Sequence, residues 1–273
     1  MVLLPPLPLL LLLALPGCFS AVVNFSTCPQ FFADPGGTVS PPTIFARGRY
    51  QQICQIRQGN LHEYATLYDT ANKIPVYSAY KFDGLMDCKR NDSWFIEPQL
   101  EDSTKDVYMK REDKSITYQN QAVNADYENT GFDKGHLAPV YHARSQSCSD
   151  ATFTLTNAAP QNKSFNRGQW KVTESTVAKA LTQRCKRNSA YIVTGVVPDY
   201  NRPPLKNRVR VPSHFWTAYC CLDNNRRVTA SSGFLGVNVN VPVQEMPVAY
   251  LEGNLTNLYA TQFSVFGLNC HQP

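Results

Sequence analysis

The stretch Asp133-Lys134-Gly135-His136-Leu137-Ala138-Pro139 concentrates titratable side chains in a short part of the chain. Two further blocks follow it, Thr156-Asn157-Ala158-Ala159-Pro160-Gln161 and Asn166-Arg167-Gly168-Gln169-Trp170, and Glu174 comes soon after them. The three blocks bring a histidine, a lysine, amides and a carboxylate into one segment, residues 124–174. This segment is therefore the candidate functional site.

These residue types match what phosphodiester hydrolysis requires. Histidine has an unperturbed pKa that suits deprotonation of water near neutral pH, so His136 is the candidate general base. Lys134 supplies a cation for the charge that builds on the phosphate oxygens. A divalent metal can stabilise the leaving oxygen. Magnesium prefers oxygen ligands and keeps several waters, so Asn166 and Glu174 are sufficient protein groups to hold it.

Residues 166–184 are predicted to form a helix. Trp170, Val177 and Leu181 recur at helical spacing, and Asn166 with Gln169 resembles a capping box. At about 100° per residue, Asn166 and Glu174 differ by roughly 80° around the helix axis, so both can face one side.

Each candidate also has a purely structural interpretation. His136 after a glycine could be a hydrogen-bonded turn histidine, and Asn166 could be only a helix cap. Lys134 and Glu174 could be solvated surface charges. Spacing alone does not decide between these interpretations.

The rest of the chain predicts strands more often than helices. The predicted strands cover residues 50–57, 63–68, 74–80, 152–156, 190–197, 208–212, 214–221 and 229–239. Residues 34–42 are irregular, and residues 100–131 are polar and loop-rich. Many strands with few helices indicate an α+β domain built on an antiparallel sheet.

The amino-terminal 20 residues are typical of a secretory signal peptide. An almost pure leucine run, Leu7 to Leu15, is too short for a membrane-spanning helix, and small residues precede Ala21. We therefore expect cleavage before Ala21, a single domain over residues 21–273, and a secreted, extracellular protein. No later segment has the length that a spanning helix needs, so no membrane span is expected.

Cysteines and glycosylation motifs agree with export. The chain has 9 cysteines, and the even number that follows Cys18 predicts disulfides. Cys220 and Cys221 are not expected to pair with each other, because neighbouring strand residues point to opposite faces. The sequence leaves the remaining pairings open. Asn-x-Ser/Thr acceptor motifs, which indicate a glycoprotein, occur at Asn24, Asn91, Asn162 and Asn254.

The charge balance is mildly basic, with a net charge of +5 and a pI of about 8.7. This balance suits a polyanionic partner without requiring one. No helix-turn-helix or zinc-finger pattern is present to read bases, so contacts with DNA and RNA are expected to be non-specific and to use the phosphate backbone.

The three blocks together resemble the DNA/RNA non-specific endonuclease family. Its signature is Asp-Arg-Gly-His followed by Ala-Pro, then Asn-x-x-Pro-Gln, then Asn-x-Gly-x-Trp with a later Glu. Weaker similarity covers most of the mature chain, and Ile74-Pro-Val-Tyr-Ser-Ala looks like the endonuclease domain-containing 1 branch. The resemblance implies a ββα-metal nuclease fold, with a central antiparallel sheet flanked by helices and the site on a strand–helix unit.

The resemblance also implies a role for each residue. The activity would be metal-dependent endonuclease cleavage of DNA and RNA without sequence specificity, leaving 5′-phosphate ends. His136 would be the general base, and Asn166 the one direct protein ligand of a hydrated Mg²⁺, with Mn²⁺ as the alternative metal. Glu174 would hold a water of that metal, and Asn157 would buttress the site.

The chain departs from the family pattern in ways that keep other functions open. Lys134 replaces the usual arginine, which keeps the charge but loses a two-pronged grip on phosphate, so weakened catalysis is expected. A second family arginine is not identifiable from the sequence, and the acceptor motif at Asn162 lies close to the expected site.

Two alternative functions follow. The first is a catalytically weak or inactive nuclease-fold glycoprotein that binds nucleic acid or protein partners. The second is a zinc hydrolase, which is disfavoured because the 5 histidines are scattered and His136 and His142 share no helical face.

Overall fold

The computed structural model describes residues 21–59, 61–186, 189–267 and 269–271. The predicted signal peptide lies outside the described residues. The strands are β1 (Tyr50–Ile56), β2 (His62–Asp69), β3 (Ile74–Phe82), β4 (Phe95–Ile96), β5 (Lys110–Arg111), β6 (Phe132–His136), β7 (Ala158–Asn162), β8 (Ala190–Pro198), β9 (Pro212–Leu222), β10 (Val228–Val237) and β11 (Gln244–Met246). The α-helices are α1 (Asn124–Tyr127), α2 (Gln146–Ala151), α3 (Lys163–Phe165), α4 (Lys171–Arg184) and α5 (Val248–Tyr259).

Seven strands form one antiparallel sheet in the order β1-β2-β3-β8-β9-β10-β11. Alternate residues of β9 serve its two faces. Trp216 packs into the core that contains Leu251 of α5, whereas Tyr219 packs into the core that contains Val177 of α4. The predicted α+β fold, a central antiparallel sheet flanked by helices, is confirmed.

A separate two-stranded unit, β6 and β7, carries the first two sequence blocks and leads directly into α3. His136 at the end of β6 is paired with Ala158 of β7. The side chain of Asn238, which follows β10, attaches this unit to the sheet. Its Nδ2 donates to the carbonyls of Pro160 and Pro212, both at 3.0 Å, and its Oδ1 accepts from the Asn162 amide at 2.8 Å.

The helix of the third block begins earlier than predicted, and the expected capping box of Asn166 and Gln169 is wrong. Asn162 is the cap of α3, since its Oδ1 accepts from the backbone N–H groups of Ser164 and Phe165. Asn166 has helical backbone angles and begins a π-helical turn, Asn166–Trp170, that joins α3 to α4. Asn162 and Asn166 are both residues of a type that caps helices. Asn162 is the cap because β7 ends there and the helical segment begins immediately after it.

Two predicted strands are also wrong. In residues 152–156 only Thr154 forms a bridge, with Phe95, and a 3₁₀ turn over Leu155–Asn157 follows. Residues 208–211 precede β9 rather than forming a strand of their own. The Arg208 side chain there reaches across to the Asp126 carboxylate at 2.9 Å.

The disulfides connect strands of the central sheet to segments that are distant in the sequence. Cys220 pairs with Cys270 and Cys221 pairs with Cys185, so the prediction that the two adjacent cysteines do not pair with each other is confirmed. A third disulfide joins Cys28 to Cys54 of β1. In the part of the chain that the structure describes, no helix has the length and apolar character needed to cross a membrane.

Candidate active site

A groove of about 1180 Å³ lies between the β6–β7 unit, the start of α4 and the loop 83–94. His136, Lys134, Asn166 and Glu174 all line it. The structure therefore brings four of the five predicted site residues to one place. The fifth, Asn157, is completely buried behind the groove.

His136 packs against two aromatic rings, and its buried nitrogen has no hydrogen-bond partner among the described residues. Its ring centroid lies 4.8 Å from that of Trp94 and 4.8 Å from that of Phe153. Its Nε2 is buried and accepts or donates no hydrogen bond within the described residues. Burial, together with the smaller effects of the charges of Arg90 and Lys134, lowers the pKa of His136 to about 3. The imidazole is therefore neutral at pH 7 and can accept a proton.

Lys134 lies on the same face of β6 as His136, because residues two apart on a strand point the same way. Its Nζ donates to Asn124 Oδ1 at 2.7 Å and lies 5.1 Å from the centroid of the Trp94 ring. Burial lowers the pKa of Lys134, although nearby carboxylates, Glu128 first among them, oppose that shift. The ammonium group thus stands beside the imidazole at the groove wall.

Asn166 is oriented by a carboxylate. Its Nδ2 donates to Asp133 Oδ2 at 2.9 Å, and the same carboxylate accepts from Arg167 Nε and Nη2, each at 2.9 Å. These hydrogen bonds lower the pKa of Asp133 despite its partial burial. An ionised carboxylate can only accept, so it must face the amide nitrogen of Asn166. The amide oxygen receives no hydrogen bond from the described residues and is available to a cation.

Glu174 lies in the first turn of α4. Burial raises the pKa of its carboxyl to about 8, while Arg90 and Lys171 act in the opposite direction. Its backbone carbonyl hydrogen-bonds His142 Nε2 at 2.9 Å, which fixes the start of the helix. The π-helical turn changes the helical phase, so the rotation of roughly 80° expected between Asn166 and Glu174 does not apply. Both residues nevertheless line the groove.

Asn157 uses its whole hydrogen-bonding capacity inside the protein. Its Nδ2 donates to the carbonyls of Ala138 and Thr152, both at 3.0 Å. Its Oδ1 accepts from the Ala138 amide and the Ser78 hydroxyl, both at 2.9 Å. Asn157 therefore ties the backbone just after His136 to β3, which is a positioning arrangement.

Sequence reasoning missed Arg90 as a groove residue. Its guanidinium lies 5.1 Å from the centroid of the Phe153 ring and pairs with Asp92 at 2.8 Å. Its positive charge lowers the pKa values of both His136 and Glu174. No motif for phosphate binding or catalysis surrounds Arg90 in the sequence, so only the folded loop 83–94 reveals its position. Asp133, by contrast, had a signal, since it opens the first block.

The donor set fits a hydrated magnesium ion better than a zinc ion. In the ranges that the structure covers, no group of three or more His, Cys, Asp or Glu side chains could hold a metal. Zinc sites need several such ligands. The unpaired amide oxygen of Asn166 and the groove-lining carboxyl of Glu174 instead suit an oxygen-preferring ion that keeps most of its waters.

Comparison with known proteins identifies the family. The sequence model of the family described as DNA/RNA non-specific endonuclease matches residues 41–264 of the chain. The chain belongs to the DNA/RNA non-specific endonuclease family.

Relatives within this endonuclease family support the predicted branch. The chain is 36% identical over 205 residues to the Endonuclease domain-containing 1 protein of Homo sapiens, covering 72% of this chain and 39% of that protein. It is also 36% identical over 118 residues to human mitochondrial Endonuclease G, covering 39% of each. The chain thus matches less than half the length of these relatives.

The structural comparison agrees with the family assignment at the level of the fold. A crystal structure of the EndoG/EndoGI complex superposes with a TM-score of 0.54 at 21% identity, covering 79% of this chain and 88% of that chain. The mixed sheet-and-helix architecture is therefore that of the EndoG nuclease fold.

Proposed function

We propose that this endonuclease-family chain hydrolyses phosphodiester bonds of DNA and RNA without sequence specificity and with a divalent metal ion. One arrangement supports this most directly. The imidazole of His136, the ammonium of Lys134 and the free amide oxygen of Asn166 belong to residues that line one groove. A base, a cation and an oxygen ligand are the groups that the reaction needs.

His136 takes the proton of the attacking water. Its pKa of about 3 keeps the imidazole neutral before substrate arrives. A bound phosphodiester brings a negative charge into the same groove, and an opposite charge nearby favours the protonated imidazole. Substrate binding therefore raises the pKa of His136 and makes it a stronger base in the complex than in the free protein.

Lys134 and Arg90 stabilise the phosphate charge from two sides of the groove. Lys134 is held in place by Asn124 and the Trp94 ring, so its position is set before substrate binds. Arg90 has an exposed side chain and reaches the groove from the loop 83–94. Preorganised cations of this kind cost little reorganisation during the reaction.

Asn166 and Glu174 are the residues that hold the metal, Mg²⁺ or Mn²⁺, in this proposal. When bound, such an ion stabilises negative charge on the leaving 3′ oxygen, which leaves the phosphate on the 5′ side. Asp133 accepts from the Asn166 amide nitrogen and so leaves the amide oxygen free to bind such an ion. The carboxyl of Glu174 would be shifted towards its charged form by a cation bound there, against the effect of burial on its pKa.

The surface around the groove supports non-specific contact with a phosphate backbone. Basic residues lie exposed along the helical segment that leaves the site: Lys163, Arg167, Lys171 and Lys179. These side chains offer positive charge to phosphate groups. Contacts with phosphates carry no information about the base sequence, so binding through them is non-specific. Cleavage is therefore expected to weaken with rising salt.

An exported protein remains our proposal for the location. The three disulfides suit an oxidising compartment. Asn91 is exposed beside Arg90, and Asn162 lies at the start of α3 with its Oδ1 engaged in the helix cap. A glycan at either acceptor would stand close to the groove.

The decisive experiment is a nuclease assay with purified protein on plasmid DNA and on RNA. We expect cleavage with Mg²⁺, loss of cleavage with a chelator, and a loss of about a hundredfold or more for His136→Ala. His214→Ala is the matched control, because His214 is a half-buried histidine of β9 outside the groove. Full cleavage by His136→Ala would rule out this mechanism. Nucleic-acid binding without any turnover would instead favour the inactive, binding-only nuclease fold.

A further inference from the structure

Two cysteines in the described part of the chain are thiols rather than disulfides, Cys88 and Cys148. Cys88 belongs to the loop 83–94 and lines the active-site groove. Cys148 lies on α2 and is buried. Cys88 is thus part of the loop that carries Arg90, whereas Cys148 is part of the fixed body of the protein.

Hydrogen bonds hold the backbone next to Cys88 against α2. The Lys89 amide donates to Gln146 Oε1 at 2.8 Å, and Gln146 Nε2 donates to the Lys89 carbonyl at 2.8 Å. Gln146 and Cys148 lie on the same short helix, so the contact brings the loop residue adjoining Cys88 to the helix that carries Cys148.

The electrostatics of the two thiols agree with this proximity. Burial, together with the smaller effects of Glu63 and Cys88, raises the pKa of Cys148 to about 11. Burial also raises the pKa of Cys88, with contributions from Asp87 and from Asp150 of α2. Cys88 thus contributes to the electrostatics of Cys148, and Asp150, on the helix of Cys148, contributes to those of Cys88.

We propose that Cys88 and Cys148 form a fourth disulfide, which fixes the loop 83–94 on α2 and holds Arg90 at the active-site groove. The existence of this bond does not depend on the proposed nuclease function, but its effect on catalysis does. No sequence pattern singles out this pair, because eight cysteines in one exported domain permit many pairings.

The bond forms by exchange with a small-molecule disulfide such as oxidised glutathione. The thiolate of Cys88, the more accessible group, attacks the donor and gives a mixed disulfide with release of one glutathione thiol. The Cys148 thiolate then attacks Cys88 Sγ and releases the second glutathione. The two protein thiols lose two protons and two electrons, and the donor's disulfide is reduced to two thiols.

Arg90 is the group that this bond would affect most. It lies two positions after Cys88, and its side chain is 58% exposed. Its ion-pair partner Asp92 belongs to the same loop, so that pair cannot anchor the loop to the body. Arg90 itself contacts the Phe153 ring, and the loop is connected to the body on one side of Arg90 by the Lys89–Gln146 hydrogen bonds and on the other by the packing of Trp94 on His136 and Phe153. A covalent link at Cys88 would therefore restrict Arg90 directly.

Peptide mapping under non-reducing conditions tests the bond itself. The full-length protein is treated with oxidised glutathione, digested and analysed by mass spectrometry. We expect a peptide pair joined through Cys88 and Cys148 in the wild type, which disappears on reduction and in Cys88→Ser. Finding both cysteines free or separately glutathionylated, while the other three disulfides are intact, would overturn the proposal.

Hydrogen exchange and kinetics test the consequence. Oxidation is expected to slow amide exchange in residues 83–94 of the wild type and to leave it unchanged in the double variant Cys88→Ser/Cys148→Ser. Breaking the link should lower kcat/KM by up to about tenfold, because small displacements of a catalytic cation are costly. That loss should vanish in an Arg90→Ala background.

The outcomes separate this inference from the proposed function. Inactivity of every form with a mapped Cys88–Cys148 peptide would remove the nuclease proposal and keep the disulfide. Full nuclease activity without a Cys88–Cys148 peptide would keep the nuclease proposal and remove the disulfide. If the link forms but its loss costs the same with and without Arg90, the assigned role for Arg90 is wrong.

Discussion

Two buried histidines close to each other in the chain have opposite hydrogen-bonding environments. His142 is satisfied at both ring nitrogens, with Nδ1 bonded to the Tyr80 hydroxyl at 3.1 Å and Nε2 to the Glu174 carbonyl at 2.9 Å. His136 has no partner at Nε2. Burial lowers the pKa of both, to about 4 for His142 and about 3 for His136.

The contrast separates a structural histidine from the histidine that we propose to be the general base. Because both imidazoles are neutral at pH 7, the pKa alone does not distinguish them. The difference is that His142 connects β3 to the start of α4, whereas His136 lines a groove and its Nε2 has no hydrogen-bond partner among the described residues. A buried polar atom without a hydrogen-bond partner lowers the stability of the fold. Such an atom is therefore a candidate for a functional role.

The largest expected effect comes from replacing each histidine by phenylalanine. His136→Phe should lower cleavage by about a hundredfold or more and leave the free energy of unfolding unchanged or higher, because the ring packing survives and an unpaired nitrogen is removed. His142→Phe should instead destabilise the fold by about 1–3 kcal/mol, since two buried groups lose their partner. Nuclease assays and urea unfolding measure both quantities. Equal destabilisation by the two substitutions would contradict the claim that only His142 has a structural role.

A second prediction concerns the group that keeps Asn166 available. Asp133→Ala removes the acceptor that orients the Asn166 amide and also releases Arg167. Loss of such an orienting partner is expected to weaken metal affinity about 10- to 100-fold. The Mg²⁺ dependence of cleavage, together with calorimetric titration of Mg²⁺, measures this affinity. Asp223→Ala on an exposed turn is the control, and an equal loss there would show a general charge effect.

The sequence predicted the candidate residues that line the groove better than the residues that support them. His136, Lys134, Asn166 and Glu174 could be selected as candidates because their chemistry is concentrated in short blocks with residue types that few other functions need together. Arg90 could not be found, because the loop that carries it is placed by the distant contact of Lys89 with Gln146.

The strands were predicted better than the helix start, for a similar physical reason. Short runs rich in apolar and aromatic residues mark β1, β2 and β3 within a residue or two of their observed bounds. The first residue of a helix depends instead on which cap is free to act. Asn162 and Asn166 are equally suitable by type, and the pairing of β7 with β6 places Asn162 where the helix begins.

A third prediction uses Lys134, the residue that departs from the family pattern. Lys134→Arg should raise kcat/KM by up to about tenfold, roughly the contribution of one additional charge-assisted hydrogen bond to phosphate. Lys134→Met keeps the apolar contact with the Trp94 ring without the charge and should lower kcat/KM. Steady-state kinetics on RNA and DNA measure both. A loss of equal size in both variants would mean that the pocket of Asn124 and Trp94 fits lysine alone.

The last prediction extends the comparison to two buried carboxyls. Burial raises the pKa of Glu97 and of Glu174 to about 8, but only Glu174 lines the groove. In the unfolded chain these groups titrate near 4.3. Between the two values the folded protein binds a proton that the unfolded chain does not. Each group should therefore reduce stability by up to about 1.4 kcal/mol per pH unit as the pH rises towards 8.

Magnesium should separate the two carboxyls, because only one of them can meet the ion. Unfolding between pH 6 and 7 is measured with and without Mg²⁺ for wild type, Glu97→Gln and Glu174→Gln. Glu97→Gln should make stability less dependent on pH and keep the full stabilisation by Mg²⁺. Glu174→Gln should also make stability less dependent on pH. In this variant Mg²⁺ should give only a small part of the stabilisation that it gives the wild type, since the ionised carboxyl that favours the ion is gone. If Mg²⁺ stabilises Glu174→Gln as strongly as wild type, the carboxyl is not near the ion, and Asn166 alone would remain as the metal-holding residue.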